Sequence, residues 1–349
     1  MTSTAVWPCA RELQALCAWL ILQYPKPSAT REALGAVTQL ADLPLPARPA
    51  PSAVGAMRRR LLAWRQRHGS SLVLFHDRAY PTLLREIARP PVALFVEGRV
   101  ATLNVPAVAL VGSRAASAEY VAWTRDMAAD LGRAGLTVAS GMARGIDAAA
   151  HLGALDAQAP TFAVLGTGTD VVYPPEHAEL QRDIVRHGCV VSELPPSTPA
   201  VAWHFPSRNR ILAGLSRAVV VVQAEKRSGA LITARHALSE NREVMAVPGC
   251  VTDPRSQGPH ALLQQGAALV GGAPCVLDAL GWSPARAETP ATALLACLAH
   301  PCDLDGLRRK LGWEAAALQR VLAELELAGW IEHDHDGRVR RAPGATSGC

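Results

Sequence analysis

Lysine is nearly missing from this 349-residue sequence: Lys26, Lys226 and Lys310 stand alone, so 32 of the 35 basic residues are arginine. Alanine is similarly abundant, and the two together read as a bias of composition. An arginine-rich stretch therefore argues for a site only when its position supports it. Eight cysteines are present, at 9, 17, 189, 250, 275, 297, 302 and 349, but no C-x-x-C pair and no Cys/His cluster at zinc spacing. That pattern argues against a structural metal or a disulfide framework, and a reducing cytoplasm fits best. Long apolar runs are also lacking: the stretch from Leu13 to Leu22 is half of what a bilayer needs, has no basic segment before it and is ended by Pro25 and Pro27. It reads as a core-facing helix rather than a signal peptide or a membrane span. Neither G-x-G-x-x-G nor a P-loop occurs, which disfavours a nicotinamide dinucleotide; no cofactor is expected. The formal charge of +5 allows a nucleic-acid partner without demanding one.

What is present divides into three textures. Residues 1–68 show helical periodicity (Leu13, Leu16, Cys17, Leu20, Ile21), then a Pro/Ala-rich stretch, then the basic run MRRRLLAWRQR, and predict a small helical, SAM-like domain. Residues 69–282 alternate apolar strands with amphipathic helices. The strands expected are 108–112, 136–140, 161–166, 189–193, 218–224 and 243–249; continuously apolar strands separated by helices mean a mostly parallel α/β sheet covered on both faces. A linker is expected near 282–290, and residues 288–342 read as a helix-rich tail closing in a hairpin at Asp336 and Gly337. Ligands of open parallel sheets bind at the carboxyl ends of the strands, so those tips carry the search for function.

The first tip is Gly112, Ser113, Arg114, a turn suited to facing a phosphate. The second runs Ser140, Gly141, Met142, Ala143, Arg144, Gly145, Ile146, Asp147, with two glycines for close backbone approach; a tight turn capped by Asp147 reads equally well. The third is Gly166 to Asp170. After the fourth, a proline-rich loop leads to Phe205, Ser207, Arg208, Asn209 and Arg210, placed where a helix would start before Ile211. Between Trp203 and His236 there are six basic residues and one acid, Glu225, and a Ser228-Gly229 turn opens another helix. An aromatic beside arginines suits stacking a base next to its phosphate, although Phe205 also fits as ordinary core.

Several long segments, in order, resemble the DNA-processing protein A family (DprA, also called Smf): VGSR (111–114), SGMARGIDAAAH (140–151), GTGTDVVYP (166–174), FPSRNRILAGLS (205–216), SGALITA (228–234) and AVPG (246–249), preceded by HDRAYPTLLREIARPPVALFVEG (76–98). The resemblance spans roughly 210 residues. It implies an extended Rossmann-like domain that binds single-stranded DNA, usually as a homodimer, and helps load a RecA-type recombinase during natural transformation. Carried onto this chain, it implies a DNA pocket made by Gly112, Ser113, Arg114, Ser140, Gly141, Arg144, Gly145, Phe205, Arg208, Asn209, Arg210, Ser228 and Gly229. Two positions depart from the family pattern: His177 where Asn is common, and Gln223 where Glu is frequent.

The tail resembles a winged helix found at the C-terminus of many members, with helices near 291–299, 304–311 and 315–328. Its presumed recognition helix carries Glu314, Glu324 and Glu326 against Arg320, a balance that repels phosphate and favours a protein-contact or structural role over groove reading, while Arg338, Arg340 and Arg341 sit in the wing, where they could touch a backbone. The competing reading is a Rossmann-like nucleotide hydrolase of the phosphoribohydrolase type. Its P-G-G-x-G-T motif is absent, and Asp147, Asp170, Glu193, His151 and His204 read better as structural groups than as a catalytic set. A non-catalytic binder is expected.

Overall fold

The computed structural model describes residues 7–23, 31–42, 48–67, 69–283, 294–295, 297–298, 300–334 and 338–342, and the chain falls into two compact units, 1–283 and 284–349. The expected linker lies almost wholly outside the described residues, as do most of 291–299 and the hairpin tip at Asp336 and Gly337.

The larger unit is organised by nine strands: β1 (Ser70–Leu74), β2 (Ala93–Gly98), β3 (Ala107–Val111), β4 (Thr137–Ser140), β5 (Thr161–Val164), β6 (Cys189–Ser192), β7 (Ala218–Val221), β8 (Glu243–Ala246) and β9 (Ala268–Leu269). They lie in the order β1-β2-β6-β5-β4-β3-β7-β8-β9. From β6 to β9 all neighbours are parallel, while β2 runs antiparallel to both β1 and β6. The six expected strands are all present; β1, β2 and β9 were not anticipated. The parallel core is buried on both faces because alternate residues serve different layers. In β3, Ala107, Ala109 and Val111 join one apolar cluster with Ile211 and Leu212, and Val108 and Leu110 join another with Met127 and Ala150.

The chain winds outward from β3 through β6 with helices α5 (Ala118–Arg133), α6 (Ile146–Asp156) and α7 (Ala178–His187), then returns through α8 (His204–Leu215) to lay β7 on the other side of β3, followed by α9 (Gly229–Ser239). The reversal at β3/β7 is the switch point of the sheet. It leaves a crevice at the strand tips, where open α/β sheets bind ligands.

The N-terminal helices α1 (Ala10–Gln23), α2 (Arg31–Gly35) and α3 (Pro51–Arg65) share an apolar cluster with the sheet. Leu16, Leu20, Leu61 and Trp64 belong to the same apolar cluster as Leu72 and Phe95. Trp64 stands edge-on to Phe95 with centroids 5.5 Å apart, and its Nε1–H lies 3.0 Å from Glu97 Oε1 and 2.9 Å from Thr169 Oγ1. The module is a cover for the antiparallel edge of the sheet, for which the hydrophobic effect supplies the driving force. A short helix α4 (Thr82–Arg85) and the pair α10 (Gln257–Gln264) and α11 (Ala273–Ala279) complete this unit.

The smaller unit has helices α12 (Leu304–Leu311) and α13 (Ala315–Leu327) and the antiparallel pair β10 (Ile331–His333) and β11 (Val339–Arg341), forming a winged helix domain around Leu307, Leu318, Leu322, Leu325 and Val339. Asp303 caps α12 by accepting from Gly306 N, and Gly312 ends it in the left-handed region. Of the wing arginines, Arg340 pairs with Glu332 and Arg341 donates to Leu295 O, which turns both toward their own domain.

His151, on α6, is wholly buried. Its Nδ1 lies 2.7 Å from Thr161 Oγ1, whose hydroxyl donates to Val138 O, so Nδ1 carries the proton and donates to Thr161. Nε2 has no hydrogen-bond partner among the described residues, and burial pulls the ring down to about 3. A folded pKa below the unfolded one means the unfolded chain takes up the proton first; stability is complete above pH 6.5 and falls as pH drops. Between pH 6.5 and 5 this group removes about 2 kcal/mol, and His151→Asn, measured by urea unfolding at both pH values, is expected to flatten the pH dependence by that amount.

Candidate nucleic-acid interface

At the switch point the tips of β3, β4, β5 and β7 surround a cavity of about 630 Å³. It is lined by Gly112, Ser113 and Arg114 after β3, by Asp147 at the start of α6, by Phe205, Arg208 and Asn209 of α8, and by Arg227, Ser228 and Gly229 at the start of α9.

The helix that carries the arginines starts earlier than the sequence suggested. It begins at His204, whose Nδ1 lies 3.0 Å from Gly166 O, with Pro206 in the first turn, where a missing N–H leaves no bond unmade. Arg208 and Arg210 therefore sit within the helix and point in opposed directions, two residues being about 200° of turn.

Arg208 points inward. Its Nη1 donates to Gly141 O at 2.9 Å and also to Val164 O, its Nε donates to Asn209 Oδ1 at 3.0 Å, and it is buried beneath the tips of β4 and β5. A Cβ at position 141 would overlap this guanidinium, so Gly141 leaves the room that Arg208 occupies. Burial lowers the Arg208 pKa to about 10, opposed by the negative charge of Asp147; it stays charged at neutral pH. Asp147 is buried as well and accepts from Gly141 N at 3.2 Å and Ala143 N at 3.3 Å, so its carboxylate braces the loop behind it. Burial raises the Asp147 pKa, and the Arg208 charge counters that rise. Gly145 completes the loop in the left-handed region at φ 72°, where a side chain would be strained.

Arg210 is not brought to the cavity. It pairs with buried Glu193 and donates to Arg89 O at 2.6 Å, tying α8 to the segment before β2. Arg144 is exposed and paired with Glu176 on the outer side of its loop. The hydroxyl of Ser140 donates within the sheet, to Leu110 O at 2.7 Å. Ser228 caps α9, its Oγ accepting from Ala230 N at 3.2 Å, while Gly229 has open space where a side chain would go. Asn209 joins the two helices by donating to Gly229 O at 3.2 Å.

The exposed chemistry that remains is compact. Arg114 lies over the ring of Phe205, 5.5 Å from its centroid, and the Tyr173 ring is tilted by 38° to that of Phe205 with centroids 5.2 Å apart. Two aromatic rings, an arginine, the N-terminus of α9 and Arg227 line one opening; this arrangement can stack a planar base and neutralise an adjacent phosphate. Tyr173, Arg227 and Glu225 were not selected from the sequence. The Tyr-Pro pair beside a glycine-rich tip, facing Phe205 across the sheet, was the signal available for the first.

Both departures from the family pattern are satisfied locally. His177 Nδ1 lies 3.1 Å from Met142 O. Gln223 accepts from Ser117 N at 3.0 Å and donates to Asp253 Oδ2 at 3.2 Å, a bond that a glutamate could not make. Among the described residues no group of three or more His, Cys, Asp and Glu side chains could hold a metal, and no helix is long and apolar enough to cross a membrane.

Residues 71–281 match the family model described as DNA recombination-mediator protein A, and residues 283–337 match the DprA winged helix domain. The chain is similar to protein Smf of Escherichia coli strain K12, 39% identical over 297 residues that cover 80% of this chain and 79% of that one. It is 45% identical to DNA processing protein DprA of Streptococcus pneumoniae over 194 residues, covering 56% and 68%. Among solved structures, it superposes on the X-ray structure of DprA from S. pneumoniae with a TM-score of 0.59 at 35% identity, over 77% of this chain and 93% of that one. A structure of DNA processing protein A from Helicobacter pylori, described for its single-stranded DNA binding mode, gives 0.55 at 25% identity, over 61% and 96%.

The two classes of arginine separate experimentally. Arg208→Met leaves Asp147 buried without its counter-charge and is expected to cost about 3–5 kcal/mol in urea unfolding. Arg114→Ala, at an exposed position, is expected to stay within about 0.5 kcal/mol of the parent protein.

Proposed function

This chain belongs to the DNA recombination-mediator protein A family, DprA/Smf, and from that membership and the geometry of its crevice we propose that it binds single-stranded DNA there and delivers it to a RecA-type recombinase, without catalysing a reaction. The observation that carries the reading is Phe205 in contact with both the Tyr173 ring and the Arg114 guanidinium at the switch point, beside the α9 N-terminus. Stacked bases need unpaired strands, because in a duplex their faces are already covered; phosphates are met by Arg114, Arg227 and backbone N–H groups. Such a site tolerates any sequence and depends on salt. The recombinase partner is supported by the family's description as a recombination mediator, and a homodimer by the resemblance alone.

Fluorescence anisotropy with a labelled single strand and the matching duplex, over a salt series, tests the site. The single strand is expected to bind more tightly. The Arg114→Ala, Arg227→Ala variant is expected to lower the slope of log affinity against log salt by about 1.4, the value for two phosphate contacts. Equal affinity for duplex, or an unchanged slope, contradicts the reading. Recombinase filament assembly on strands coated by a single-strand-binding protein then tests delivery: acceleration by the parent protein, lost in the double variant, is the expected result.

A further inference from the structure

The crevice has a second support besides Arg208, and it comes from outside the sheet. Arg60, Trp64 and Arg67 are spaced by four and three residues, which puts them on one side of α3 and of the turn that follows it. Arg67 pairs with Glu97 at 3.1 Å. Trp64 shares its Nε1–H between Glu97 Oε1 and Thr169 Oγ1, and the Thr169 hydroxyl itself donates to Glu97 at 3.0 Å. Arg60 donates to Thr198 Oγ1 at 3.0 Å and to Pro195 O at 3.3 Å. One side of one helix thus grips two loops, 165–174 after β5 and 193–203 after β6.

Those two loops are bonded to each other. Asp170 accepts from Ser197 N and Ser197 Oγ, and Gly168 N donates to Thr198 O at 2.9 Å. Ser197 is held at φ 59°, a conformation that is unfavourable for a residue with a side chain and persists where neighbours fix it. Within the first loop, Thr167 Oγ1 donates to Val171 O at 3.0 Å and Val171 N to Gly168 O at 3.0 Å, which makes a closed turn. Both loops reach the cavity: Tyr173 ends the first, while Ala200 and Ala202 belong to the second, which runs into Phe205. Phe205 also rests on the first loop, since a Cβ on Gly166 would lie 2.8 Å from its ring. Arg60 and Trp64 themselves do not line the cavity.

We infer that α3, through Trp64 and Arg60, positions the Tyr173 and Phe205 side of the crevice for the base that stacks there. The inference rests on the crevice being the single-strand site. Arg60 and Trp64 are positioning residues: they hold the stacking surface in shape before the strand arrives, which lowers the ordering cost of binding. Such a contribution differs from a phosphate contact in its salt signature, because no counterion is released at α3.

The test uses the full chain, an oligo-dT strand of about 5 nucleotides, and the Arg60→Met, Trp64→Phe pair and Tyr173→Ala, separately and combined. Trp64→Phe keeps an aromatic ring beside Phe95 and loses the N–H. The α3 pair is expected to weaken binding about tenfold in the parent background and less than about threefold in the Tyr173→Ala background, where part of the surface it positions is gone. The salt slope is expected to stay unchanged. Unchanged affinity, a fall in slope of about 0.7 as for one lost phosphate contact, or an equal loss in both backgrounds overturns the inference. Trp64→Phe and Thr169→Val, which remove one hydrogen bond from its two ends, carry the same comparison if the pair does not fold. Tyr173→Ala binding the strand as tightly as the parent overturns the crevice reading instead.

Discussion

The guanidinium of Arg208 is the constraint on which the binding end of the sheet depends. Placed under the tips of β4 and β5, it satisfies carbonyls of Gly141 and Val164 that would otherwise end in the core, and it supplies the positive charge beside buried Asp147. Asp147 in turn holds the 141–147 loop through two backbone N–H groups. A buried cation with its bonds made and a counter-charge nearby is tolerated, whereas either ion without the other is costly. The loop, the first turn of α6 and the N-terminal half of α8 are consequently one structure, and the surface above them is held in shape before any ligand arrives.

This order puts the two roles of arginine in contrast. Arg208 and Arg210 form internal bonds, one to carbonyls and one to Glu193, and both are largely withdrawn from solvent. Arg114 and Arg227 stand at the opening. Guanidinium suits either task, since its planar donors match carbonyl and carboxylate as well as phosphate. In a chain with so little lysine, the same residue type serves as internal strut and as ligand, and only the surrounding acceptors distinguish the two.

Much of this was legible in the amino-acid order. Six apolar runs gave the parallel strands because residues buried on both faces must be apolar throughout, and the glycine-rich tips located the crevice. Burial of Arg210 was not legible, because Glu193 lies 17 residues away and is brought opposite only by the turn of α8. The start of that helix was placed too late for a related reason: Ser207 to Arg210 has the composition of a helix entry, but the bond from His204 to Gly166 O sets the true beginning. The strand β2 lies within a run read only for its family resemblance and β1 just before that run, and their antiparallel pairing, β1 with β2 and β2 with β6, is encoded by no local pattern.

The sharing of one apolar cluster between the N-terminal helices and the sheet has a consequence for how the protein can be shortened. Leu61 and Trp64 cover Leu72 and Phe95, and Trp64 donates to the buried carboxylate of Glu97. A gene trimmed to begin at the first strand would encode a sheet with an uncovered apolar margin and a buried carboxylate that loses Trp64 and Arg67 and keeps Thr169 as its donor. Such a fragment is prone to self-association, so the recombination-mediator region cannot be treated as a portable cassette from which the preceding helices are freely removed.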